Sequence, residues 1–88
     1  MTPSRRGFLA LVKRFPEYVD DVRRLFANNE EFLSLCEDYQ VCSEALRYWD
    51  QADTKEAPER CQEYASLLAE LEEEVRRIIG AERNTIIG

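Results

Sequence analysis

The sequence predicts an all-α protein, in which a short helix precedes two long antiparallel helices that form a coiled-coil-like hairpin, paired into a helical bundle. The chain of 88 residues has 44% hydrophobic and 34% charged residues but only three Gly and three Pro, which disfavours a loop-rich fold. Two long segments carry apolar residues at alternating spacings of three and four, the pattern of packed helices. The length fits a single small domain.

Residues 1–15 are expected to form a basic arm. Pro3, Gly7 and Pro16 interrupt this partly apolar segment, and such residues disfavour a stable helix. Its positive charges, without any acid between them, are Arg5, Arg6, Lys13 and Arg14. A basic arm can bind nucleic acid or an anionic surface, or simply keep a terminus in solution, and both interpretations stay open here.

The first helix is predicted over residues 16–27. Pro16 suits the first turn of a helix, where its missing N–H would have no partner in any case. The apolar stripe of this helix is Val19, Val22 and Phe26. Asn28 and Asn29 provide its end and the cap of the next helix.

The two long helices are predicted over residues 30–51 and 57–79. The seam of the first consists of Phe32, Leu35, Tyr39, Cys42, Leu46 and Trp49. The seam of the second consists of Cys61, Tyr64, Leu68, Leu71, Val75 and Ile78. Each seam is about 27 Å long, and equal lengths predict a hairpin. Gly80 is expected to cap the last helix, so that residues 16–80 form the domain and 81–88 a tail.

A second apolar stripe beside the seam predicts self-association. A two-helix hairpin buries only one seam and is marginally stable at this size, so the remaining apolar residues require a further packing partner. The expected partner face is Leu33, Cys36, Ala45, Tyr48, Leu67 and Ile79. A second copy, in a homodimer or tetramer, is the preferred cover; the first helix or an unidentified protein partner are the alternatives.

The net charge of -6 argues against nonspecific nucleic-acid binding by the body of the protein, so such binding is expected only through the arm. On the outer face of the last helix, Glu72 with Arg76 and Glu73 with Arg77 are predicted as i,i+4 ion pairs.

The sequence predicts no enzyme, no cofactor and no metal site. The chain has no His, which usually supplies a base near neutral pH and which helical-bundle metal sites require. The three cysteines lack the close spacing of a zinc site. Cys36, beside the seam, is either a buried inert thiol or a reactive one.

A cytoplasmic location and no integral membrane segment are expected. Three cysteines cannot all pair within one chain, which favours reduced thiols. Arg5-Arg6 followed by Phe8-Leu9 is similar to a twin-arginine export motif, but no apolar stretch of signal-peptide length follows. Nor does any apolar run approach the roughly 20 residues that cross a bilayer.

The run Phe15-Pro16-Glu17-Tyr18, followed by Leu25, Asn29, Phe32, Leu35 and Tyr39, resembles the YdcH-like family of short bacterial helical hairpins of unassigned function. The resemblance covers roughly residues 15–79. It implies a short helix, an Asn-containing step and two long helices, and it supplies no catalytic residues.

Together these features predict a self-associating protein-interaction or adaptor module. The alternative is a binding module for nucleic acid or an anionic surface that uses the basic N-terminal arm.

Overall fold

The computed structural model describes the backbone of residues 5–87 and the side chains of residues 5–84. Residues 1–4 of the expected arm, with Pro3, and Gly88 of the expected tail lie outside this range. Within it the protein contains helices and no strand, which confirms the all-α class. The elements are α1 Arg5–Arg14, a 3₁₀ turn Pro16–Tyr18, α2 Val19–Asn28, α3 Glu30–Gln51 and α4 Ala57–Ile87. The described residues extend over 51 × 27 × 20 Å.

The N-terminal segment was expected to be an irregular arm, and this expectation is wrong, because Arg5–Arg14 form a regular helix. Pro16 follows this helix and does not interrupt it. Gly7 is buried against α3, where a Cβ atom would lie 2.2 Å from the carbonyl oxygen of Cys36. The absent side chain therefore permits a close approach of two helices, and Leu11, one turn later, is fully buried.

A single 3₁₀ turn separates α1 from α2. The backbone N–H of Tyr18 donates to the carbonyl oxygen of Phe15 at 3.0 Å and closes this turn. The helix predicted from residue 16 therefore becomes an α-helix only at Val19. Phe15 itself is buried, so the turn begins from a core residue.

One residue, Asn29, ends α2 and caps α3. Its backbone N–H donates to the carbonyl oxygen of Leu25 at 2.8 Å, and its side-chain oxygen accepts from the backbone N–H of Phe32 at 3.0 Å. Such a cap pairs a donor at the helix start and typically contributes about 1 kcal/mol. α3 then occupies Glu30–Gln51, the same bounds that we expected from the sequence.

The last helix, α4, continues well beyond its predicted end at residue 79. Gly80 was expected to cap it, but the helix runs through this glycine to Ile87. The φ angle of Gly80 is not positive, and a Cβ atom there would meet nothing within 4 Å. The residues expected to form a tail are therefore helical as far as the structure describes them.

The extension of α4 contacts α2 through charged side chains. Arg83 donates two hydrogen bonds to the buried carboxylate of Asp21, at 2.6 and 3.3 Å. These hydrogen bonds hold the pKa of Asp21 below its ordinary value. Arg24 of α2 donates to Glu82 at 2.9 Å. Bidentate arginine–carboxylate pairs fix orientation as well as position, so α2 is tied to this end of α4.

The hydrophobic core lies at the end of the molecule where α1 and α2 pack on α3 and where α3 meets the last part of α4. Its buried members are Leu11, Phe15, Val22, Leu25, Phe32, Leu35, Cys36, Tyr39, Val75, Ile78 and Ile79. We call the opposite end of the α3–α4 pair, residues 41–51 and 57–68, the distal end.

Candidate interaction surface

An open groove of about 600 Å³ lies between α1 and α3, and we name it the basic groove. From α1 it is lined by Arg6, Leu9, Ala10, Val12 and Lys13. From α3 it is lined by Gln40, Ser43, Glu44 and Arg47. The α3 residues recur at helical spacing, so a single face of α3 is turned toward α1 along this groove.

The basic groove combines three cationic side chains with one carboxylate. The Nη1 atom of Arg6 lies 3.7 Å from Oε1 of Glu44, and 80% of the Arg6 side chain is exposed. Such an exposed ion pair contributes little to stability. Lys13 and Arg47 are also exposed, and between these charges Leu9 leaves 55% of its surface in solvent. The groove is therefore both positively charged and partly apolar.

The structure separates the four basic residues that were expected to act together in an arm. Arg6 and Lys13 line the basic groove. Arg14 points to α4 instead and donates two hydrogen bonds to Glu72, at 2.9 and 3.1 Å. Arg5 is exposed and is not among the residues that line the groove. Sequence reasoning missed Arg47, because only the packing of α1 on α3 brings it to the groove.

Glu72 joins three helices. Besides the two hydrogen bonds from Arg14 of α1, it accepts one from the hydroxyl of Tyr39 of α3 at 2.9 Å. Burial raises the pKa of Tyr39 to about 12, and the hydrogen bond to the Glu72 carboxylate and its negative charge add to this effect. The predicted pair of Glu72 with Arg76 is therefore wrong, since Arg76 donates to Glu73 at 3.1 Å. Arg77, predicted to pair with Glu73, donates to Glu74 instead.

Two guanidinium groups lie near the ring of Phe15. The Cζ atoms of Arg14 and Arg76 are 5.0 and 5.2 Å from the centre of its ring. Cations at this distance from an aromatic ring are attracted to its negative face. Arg14 thus links α1 to α4 through Glu72, and Arg76 of α4 contacts Phe15 just after α1.

The predicted seam residues differ in burial from one end to the other. Phe32, Leu35, Tyr39, Val75 and Ile78 are buried in the core. Leu71 and the distal members are half-buried: Cys42, Leu46, Trp49, Cys61, Tyr64 and Leu68. The rings of Tyr48 and Trp49 meet edge-to-face, with centres 5.1 Å apart, at the end of α3. The apolar contacts therefore weaken toward the distal end.

The residues predicted to face a partner fall into two groups. Cys36 and Ile79 are buried within one chain, so their assignment to a partner face is wrong. For Cys36 the reason is that Gly7 of α1 packs against it. The other four are Leu33 and Ala45, which are half-buried, and Tyr48 and Leu67, which are 65% and 43% exposed.

The outer side of α4 carries a second surface, which we name the acidic strip. It is a shallow depression of about 500 Å³ lined by Glu59, Gln62, Glu63, Ser66, Leu67 and Glu70. Three carboxylates thus accompany one exposed leucine. Glu63 accepts a hydrogen bond from Arg60 at 2.8 Å, and both side chains are about half exposed.

The cysteines lie in different environments, and none is disulfide-bonded. Burial raises the pKa of the Cys36 thiol to about 12, with a further contribution from the charge of Glu37. Burial also raises the pKa of Cys42. Because the thiolate is the nucleophile, Cys36 is poorly suited to react at neutral pH. Among the described residues, no cluster of three or more Cys, Asp or Glu side chains could hold a metal ion.

Comparisons with protein families, with curated proteins and with solved structures found no match for this chain. Across the described part of the chain, no helix is both long enough and apolar enough to cross a membrane.

Proposed function

We propose that the chain is a non-enzymatic helical hairpin that associates with a second copy of itself, as a homodimer or tetramer, and serves as a small protein-interaction or adaptor module. The observation that carries this proposal is the incomplete burial of the distal end. Its seam residues stay half-buried, while Val41, Tyr48 and Leu67 are exposed. A second copy would cover this apolar surface, as in helical bundles.

The antiparallel hairpin register is part of the same proposal. α3 and α4 pack along each other and are joined by five residues, 52–56. Folding the chain between the two seams places Tyr39 beside Leu71, and the hydrogen bond from Tyr39 to Glu72 supports this register. Buried residues occur on both helices at one end and half-buried residues on both at the other, which is what paired seams require.

A non-enzymatic role is supported by the chemistry of the side chains. The chain has no histidine, and its most deeply buried cysteine has a pKa raised to about 12. Three cysteines without disulfides also fit the reducing cytoplasm that we propose as its location.

The resemblance to YdcH-like hairpin proteins is likewise part of the proposal. Its short motif, Phe15 to Tyr18, consists of the buried residue that follows α1 and the 3₁₀ turn that leads into α2. A short helix, the Asn29 step and two long helices follow in the order that the resemblance implies.

One observation favours an alternative, in which the N-terminal basic residues bind nucleic acid or an anionic surface. Arg6 and Lys13 share the basic groove with Arg47. However, Arg14 does not contribute to this surface, because its guanidinium donates two hydrogen bonds to Glu72. Binding of single-stranded DNA or anionic vesicles at low salt, weakened by added salt and by Lys13→Glu, would support it. No binding at low salt would remove it.

The seam is tested by a matched pair of substitutions on α4. Leu68 is half-buried at a seam position, whereas its neighbour Ala69 is exposed. Leu68→Asp removes apolar contacts and brings a charge into the seam, so it should lower the melting temperature clearly more than Ala69→Asp does. Equal melting temperatures for the two variants would contradict the seam.

Self-association is tested by sedimentation velocity on a dilution series under reducing conditions. The proposal predicts a sedimentation coefficient that rises with concentration to that of a dimer or tetramer. A single coefficient, that of one chain throughout, would refute self-association.

A further inference from the structure

We propose that the basic groove of one copy of the chain binds the acidic strip on α4 of a second copy. This inference rests on the self-association proposed above and names the two surfaces that carry it. Both surfaces are exposed in the single chain, and they differ in the sign of their charge.

The charges of the two surfaces are complementary. The basic groove has three cations, Arg6, Lys13 and Arg47, against the single carboxylate of Glu44. The acidic strip has the carboxylates of Glu59, Glu63 and Glu70 and no cation among its lining residues. Complementary charge steers encounter and fixes the register of an interface, even where it adds little affinity.

The acidic strip also lies along one face of a single helix, as the helix in a helix-in-groove contact does. Glu59, Glu63, Ser66 and Glu70 follow one another at spacings of four, three and four, so they share one helix face. This face is about 16 Å long, and α1, which forms one wall of the groove, is about 15 Å long. A helix that lies in a groove through such an i, i+4, i+7 face is a common mode of recognition.

An apolar contact accompanies the charges on each side. Leu67 in the acidic strip is 43% exposed, and Leu9 at the basic groove is 55% exposed. Burying these two leucines against each other would remove apolar surface from water, with the ion pairs around them as a polar rim.

Contact between the two surfaces requires two copies. The strip lies on the side of α4 away from α3, because the seam residues on the intervening positions face α3. The groove lies on the side of α3 toward α1. When each copy places its strip in the other's groove, the contact is used twice and closes a symmetric dimer.

Reversing the charge of one surface at a time tests this inference. One variant carries Lys13→Glu and Arg47→Glu in the groove; the other carries Glu63→Lys and Glu70→Lys in the strip. Each variant alone places like charges in both contacts, so its dimer dissociation constant should rise by about tenfold or more. An equimolar mixture restores opposite charges in both contacts, and its mass by light scattering should return to that of two chains.

A matched control reverses two exposed acids outside both surfaces, Glu37→Lys and Asp53→Lys. This control should associate like the wild type, and all variants should keep the wild-type circular dichroism spectrum. If the wild type associates and the groove and strip variants associate equally well alone, the groove–strip contact is wrong while self-association stands. A wild type that stays monomeric at every concentration overturns both.

Discussion

In the part of the chain that the structure describes, two glycines lie within α-helices, and the same substitution should have opposite effects at them. Gly80 lies on the exposed side of α4, and a Cβ atom there would meet nothing within 4 Å. Gly7 lies in α1, and a Cβ atom there would be 2.2 Å from the carbonyl oxygen of Cys36 and 2.8 Å from its carbonyl carbon. Gly→Ala therefore changes helix propensity alike at both sites but adds a steric conflict at Gly7 alone.

The magnitudes follow from propensity and packing. Ala stabilises the interior of a helix by about 0.5–1 kcal/mol relative to Gly, so Gly80→Ala should raise the melting temperature by about 2–8 °C. For Gly7→Ala the conflict involves backbone atoms, so α1 must move away from α3. Overpacking of this kind costs about 1–3 kcal/mol. After the propensity gain is subtracted, a net loss of up to about 2.5 kcal/mol remains, which should lower the melting temperature by up to about 20 °C.

The assay is thermal unfolding followed by far-UV circular dichroism, at one protein concentration for all three proteins because association shifts the midpoint. For each variant, the decisive result is whether its melting temperature lies above or below that of the wild type. A melting temperature of Gly7→Ala at or above that of the wild type would refute the close packing of α1 on α3.

Three further predictions concern titratable groups. The pKa of Asp21 is lowered in the folded protein, so its stabilising effect should be present above about pH 4, its unfolded pKa, and disappear as pH falls through its folded pKa. Asp21→Asn should therefore lower the free energy of unfolding by about 1 kcal/mol near neutral pH and leave it unchanged in acid. Denaturant unfolding at several pH values measures this difference, and a difference that does not depend on pH would contradict the prediction. The pKa of Tyr39 is raised to about 12, so stability should fall as pH rises from about 10 to 12, and alkaline titration by ultraviolet absorbance should lose a step near pH 12 in Tyr39→Phe. Loss of a step near pH 10, the ordinary pKa of tyrosine, would exclude the raised pKa. Alkylation of the native protein, mapped by mass spectrometry, should modify half-exposed Cys61 before buried Cys36, and early modification of Cys36 would show that α1 leaves α3 readily.

The long helices were predictable from the sequence because their determinants are local. The apolar spacing on α3 and the Asn29 cap are properties of neighbouring residues, and the cap is formed by a side-chain oxygen that accepts from Phe32, three residues later. Helix α1 was not predictable in this way. From the sequence, Gly7 was expected to disfavour a helix. That it permits close packing is seen only in the structure, where Cys36, 29 residues later, lies against it.

The charged contacts were the least predictable part. Glu72 has a local partner in sequence, Arg76, but binds Arg14 and Tyr39, which other helices bring to it. In the same way, α4 continues past Gly80, and Arg83 in this extension pairs with Asp21 on α2. A basic arm was predicted, whereas the structure shows a groove to which α3 also contributes Arg47. This contribution could not be predicted, because the packing of the two helices determines which residues line the groove.

We propose that the half-covered distal end and the two charged surfaces serve self-association. Light scattering coupled to size exclusion, under reducing conditions and over a concentration series, tests it most directly. We expect a mass that rises with concentration from that of the 10.3 kDa chain to that of a dimer or tetramer, and that falls again when salt is added to the concentrated sample. A mass of one chain at every concentration would contradict it.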